Sequence, residues 1–121
     1  MYHARPPAGA YGTMDAAVMS PRRAEAQAIA GLTRRMIAAE DGGPFARRVE
    51  VLHENRRLWR AIAAATADDA NDLPDAMRAG LISLAGWVDR ATSEVLAGRG
   101  AMAPLLDLNR RVVAGLTTRG G

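Results

Sequence analysis

Few residues in this chain have the makings of a reaction centre. Neither of its two histidines, His3 and His53, belongs to a recognisable metal-ligand set. Cysteine is absent, which removes thiolate nucleophiles, disulfides and cysteine-bound zinc, and fits a reducing compartment. Gly98-x-Gly100 follows a helical pattern rather than a strand, so it is no phosphate cradle. Acid–base work needs a second positioned group, and Glu25, the one acid inside an apolar stripe, has none in sight. The expectation is a protein that is not an enzyme and carries no metal or cofactor.

What remains informative is the set of residues that interrupt apolar stripes. Asn55 falls among Val51, Leu52, Leu58, Trp59 and Ile62, and Asn109 among Leu105, Leu106, Val112 and Val113. Each is followed by two arginines. A buried amide without partners costs about 1–3 kcal/mol, so both must be hydrogen-bonded. Two readings are open. The amides bond a nearby loop or helix end and fix the register of the fold, or they line a groove and bond a partner's backbone. Glu25 and Arg56 are placed to form an ion pair between helices, and local pairs are expected for Glu54 with Arg57, Asp107 with Arg110 and Arg111, and Arg90 with Glu94. Of five aromatics, Trp59 reads as core, while Trp87, at the margin of its stripe, divides between core and surface anchor. Gly80 and Gly86 lie inside a helical pattern at about 1 kcal/mol each relative to alanine, a cost that points to close helix approach or a neighbouring ring. Ile82, Ala85 and Leu96 make a second, weaker apolar strip that is a candidate for docking another helix.

These residues need helices to position them. Ser20-Pro21 reads as a helix start, followed by a stripe of Ala24, Ala28, Ile29, Leu32, Met36 and Ala39 that ends at Gly42-Gly43-Pro44. The second helix, over about 44–66, carries apolar residues on nearly half its circumference, Phe45 and Val49 included, as suits a central helix touching two neighbours. Asp72, with Asp75 three residues on, is placed to cap a third helix, whose stripe is Met77, Leu81, Leu84, Val88, Ala91 and Val95. Pro104 opens a fourth, with Leu105, Leu108, Val112 and Leu116 on one face. No stretch alternates as a strand would. The expected fold is all-α: a small antiparallel bundle of about four helices, roughly 21–40, 44–66, 73–97 and 104–116, behind a flexible or partly helical N-terminal segment.

At 121 residues the chain makes one domain, expected over 13–117 between a tail of residues 1–12 and another of 118–121. All sixteen basic residues are arginine, giving a pI near 10.5 beside a net charge of only +3. The arginines alternate with acids, and stacking aromatics are few, so nucleic acid is a poor match. No apolar run approaches the ~20 residues of a membrane span, and the start lacks the apolar stretch of a secretory signal.

Read in order, Asn55-Arg56-Arg57-Leu58-Trp59, Asn71-x-Leu73-Pro74, Leu84-Ala85-x-Trp87-Val88-Asp89-Arg90 and Pro104-Leu105-Leu106-x-Leu108-Asn109-Arg110, with Ala10-Tyr11 and Ser20-Pro21-Arg22 upstream, make up a distinctive series. It resembles the FlaF family, flagellar biosynthesis regulators of alphaproteobacteria and not the archaeal protein of that name, over about residues 10–116. The resemblance implies a small cytoplasmic helical protein, needed for flagellin synthesis or export, that has flagellin as its partner and acts opposite the repressor FlbT. Physically, that is a module holding an amphipathic helix in an apolar groove. The residues expected to bind are Asn55, Arg56, Trp59, Leu84, Trp87, Val88, Arg90, Asn109 and Val112. The alternative is direct binding of flagellin mRNA.

Overall fold

In the computed structural model, four helices follow one another: α1 (Ala8–Glu40), α2 (Phe45–Ala67), α3 (Asp75–Leu96) and α4 (Ala103–Gly120). Residues 8–68 and 73–120 are described, with side chains over 23–68 and 73–115. No strand occurs among them.

Six of the eight helix ends fall within two residues of the expected limits. The first does not. Ser20-Pro21 lies within α1 rather than at its start, and residues 8–12, expected in a tail, are helical. Residues 13–19 are helix-compatible and carry the helix on towards the N-terminus, while Pro21 forgoes a single intrahelical hydrogen bond. At the far end, α4 continues past residue 116 into the expected C-terminal tail. The expected Asp72 cap lies outside the described residues. Pro44 and Pro74 precede α2 and α3 in extended conformation with no side-chain cap.

The turns follow from glycine. Gly42 adopts φ 136° after α1, and Gly98 adopts φ 80° after α3. At Gly98 the amide of Arg99 donates to the Glu94 carbonyl at 2.8 Å and that of Gly98 to the Val95 carbonyl at 3.0 Å. This paired arrangement is the left-handed helix stop that glycine alone enters without strain. The Arg99 guanidinium then reaches back to the Glu94 carboxylate through two hydrogen bonds, at 3.1 and 2.9 Å.

The packing is uneven around the bundle. α1 lies against α4 and α2, and α2 against α3, whereas α3 and α4 barely touch. The interior joins Leu32, Met36 and Ala39 of α1, Val51, Leu52 and Trp59 of α2, Ala85 and Val88 of α3, and Met102, Leu105 and Leu106 at the start of α4. α2 touches two neighbours as its wide face suggests, but α1 does the same, so α2 is not alone at the centre. Its wide apolar face is not wholly used, since Phe45, the first residue, is 74% exposed. Two buried threonines, Thr33 and Thr92, satisfy their hydroxyls on the carbonyls of Ile29 and Val88 one turn back.

Candidate functional site

The two stripe amides meet each other. Asn109 on α4 donates from Nδ2 to Asn55 Oδ1 on α2 at 2.9 Å and lies 3.8 Å from Met36 Sδ on α1. Its Oδ1 accepts the indole N–H of Trp59 at 2.9 Å. All three polar side chains are 0% exposed. The network links α2 to α4 diagonally across the interior, helices that do not otherwise approach closely. Of the two readings, the internal one holds, with a change of partner: each amide bonds another side chain rather than a loop or helix end. Asn55 Nδ2 has no hydrogen-bond partner among the described residues. Asn55, Trp59, Asn109 and Val88 therefore offer no surface to a partner in this arrangement, which corrects their place among the binding residues.

Arg56 is used between α2 and α3. Its Nη2 donates to the Asp89 carbonyl at 2.9 Å and to Ser93 Oγ at 2.6 Å, and its Nε stands 3.3 Å from Asp89 Oδ1. Arg60 grips the same carboxylate with two hydrogen bonds, at 2.9 and 3.1 Å. The hydrogen bond from Arg60 is the chief cause that holds the Asp89 carboxyl below its ordinary range; burial opposes it, and the positive charges of Arg60 and Arg56 add to it. The expected partner of Arg56 was Glu25. The carboxylate it meets is Asp89, because the outer flank of α2 faces α3 rather than α1. Two local pairs are displaced as well: Glu54 bonds Arg35 on α1 at 2.6 Å instead of Arg57, and Glu94 is taken by Arg99, in the turn that ends its own helix, instead of Arg90. Asp107 pairs with Arg110 at 3.7 Å as its spacing predicts.

Of the remaining expected residues, Leu84 and Trp87 lie on the loosely joined side, with Arg90 exposed one turn past Trp87 and Val112 half-buried one turn past Leu108. There a cleft of about 360 Å³ opens between α3 and α4, lined by Leu84 and Trp87 on one lip and Pro104, Asp107, Leu108 and Arg111 on the other. Leu84, Trp87, Leu108 and Val112 are half-buried, each resting on the core with one side uncovered. Trp87 is thus an anchor at the margin rather than a sealed core residue. Leu108 was expected only as part of the fourth helix's stripe, and Pro104, Asp107 and Arg111 were missed as lining residues. Their signal was available, since they fall on the same flank of the fourth helix at spacings of three and four. Neither Gly80 nor Gly86 marks a close helix approach. A Cβ at Gly80 would meet nothing within 4 Å, and one at Gly86 only the Arg90 guanidinium at 3.6 Å. The second apolar strip on α3 is mostly spent inside the fold: Ala85 is buried, Leu96 half-buried, and Ile82 alone of the three is exposed, at 40%.

Compared with known families, the chain matches flagellar protein FlaF over residues 7–116. It belongs to the FlaF family. The match includes every helix boundary described above except the end of α4, so the bundle as a whole is the FlaF unit. Comparison with curated proteins and with solved structures finds no match. Among the described residues of this FlaF-family chain, no helix is long and apolar enough to cross a membrane, and no three His, Asp or Glu side chains gather as a metal set.

Proposed function

We propose that this FlaF-family chain is a non-enzymatic flagellar regulator that binds flagellin in the cytoplasm and supports its synthesis, stability or export, acting opposite the repressor FlbT. The observation that carries this reading is the cleft between α3 and α4, where two facing apolar lips stand apart while every other neighbouring pair of helices is closed. Such a cleft suits an amphipathic helix laid lengthwise, with side chains at three- and four-residue steps entering it. Trp87 and Leu84 on one side and Leu108 on the other are its anchors, and Arg90 and Val112 follow one turn along their helices. Filling the cleft completes a core poor in large aliphatic residues, so the partner stabilises the fold by mass action.

The test is purified flagellin mixed with this protein. Co-elution at micromolar concentration and a higher melting temperature are expected, and Trp87→Ala should weaken both while remaining helical. Unchanged melting together with separate elution overturns the reading. The second reading, direct binding of flagellin mRNA, draws on exposed arginines such as Arg57 and Arg111, which have no ion pair among the described residues. Its aromatic supply is poor, since Trp59 is sealed. An mRNA gel shift that falls steeply with salt would favour it.

A further inference from the structure

The lips of the cleft carry charge as well as apolar surface, and from that charge we infer the chemistry of the occupant: an apolar helical stripe flanked on both sides by carboxylates. This rests on reading the cleft as the partner site. Asp107, the acid in the lining of the cleft, and Glu94, one turn past Arg90 on α3, already have arginines of their own. Glu94 is held in two hydrogen bonds by Arg99, and Asp107 is paired with Arg110. Two arginines are left over, Arg111 in the lining of the cleft and Arg90 one turn along α3 from the Trp87 lip. Arg90 stands three residues after Trp87 on α3 and is exposed; Arg111 stands three residues after Leu108 on α4, is exposed and lines the cleft. Neither makes an ion pair or hydrogen bond among the described residues.

A guanidinium is built for planar, two-point capture of a carboxylate, and a free one beside a desolvated groove selects for acid and against base. The excess of positive charge over the whole chain steers in the same direction. The apolar floor supplies affinity and the two guanidinium groups set which amphipathic helices are accepted and how they lie.

Two synthetic 20-residue helical peptides test this, identical in a leucine stripe and differing only in flanking positions, glutamate in one and lysine in the other. Binding is followed by tryptophan fluorescence and by titration calorimetry at fixed salt. The glutamate peptide should bind on the order of tenfold or more tighter, the scale of one charge-assisted contact. Arg90→Glu with Arg111→Glu should invert the preference. Arg57→Glu, an equal change per site in net charge on the exposed side of α2, should leave it unchanged. Equal affinities for the two peptides, or an effect of Arg57→Glu as large as that of Arg111→Glu, overturns the inference. Flagellin is run in parallel: if it binds and the charge preference is absent, the inference fails and the flagellin reading stands; if the glutamate peptide binds and flagellin does not, the reverse holds.

Discussion

Trp59 and Trp87 sit on adjacent helices and meet opposite surroundings. Around Trp59 everything is closed: its indole N–H is taken by Asn109, its ring is wholly buried, and all four helices contribute to the cluster. Around Trp87 the neighbouring helix stands off, and the ring is half-covered on the edge of a cleft. The first region stores stability and register. The second forgoes both, leaving apolar surface uncovered where one more turn of contact between α3 and α4 would have closed it. In a domain of this size, whose aliphatic residues are few, that surface is a sizeable concession.

The comparison predicts a steep difference between the two tryptophans. Trp59→Ala should cost about 3–5 kcal/mol in urea unfolding, through lost burial and an orphaned Asn109 oxygen. Trp87→Ala should cost far less while reducing partner binding. Equal losses of stability would break the comparison. The amides sharpen it. Asn109→Ala leaves the Trp59 N–H and Asn55 Oδ1 without their partner and should destabilise by about 2 kcal/mol. Asn55→Leu with Asn109→Leu together should cost less than the sum of the two single changes, read as a double-mutant cycle, since the pair is then removed rather than split. The smallest effect concerns the outer clamp. The Asp89 carboxyl is lowered, so its contribution to stability is present above the unfolded carboxyl value near ~4 and is lost as pH falls through the folded one. The pair is half-exposed and screened, so Asp89→Asn should cost under ~1 kcal/mol at neutral pH, less in high salt, with the gap to wild type closing on acidification.

The four helices were legible because each has an apolar stripe at helical spacing and three end at glycine or proline. The true start of α1 was not, since the Ser20-Pro21 pair that opens a helix is also tolerated inside one that residues upstream can continue. Asn55 and Asn109 announced themselves by breaking their stripes. That they bond each other depends on which helices face across the interior, and sequence spacing does not carry that. The same limit explains Arg56, whose position on an outer flank was readable while its partner was not. Leu84, Trp87, Arg90 and Val112 were picked out as surface candidates, but the cleft itself arises from the stand-off of α3 and α4, a property of the whole bundle. Gly80 and Gly86 misled because a helical glycine signals either crowding or open space, and here Gly80 has open space and Gly86 only a flexible arginine beside it.

The stop at Gly98, clamped by Glu94 and Arg99, ties the two lips together at one end only. A slot open along its whole side admits a polypeptide broadside. No free terminus has to be threaded, so a stretch in the middle of a long chain is as reachable as its tip, and it can be let go again without either molecule unravelling.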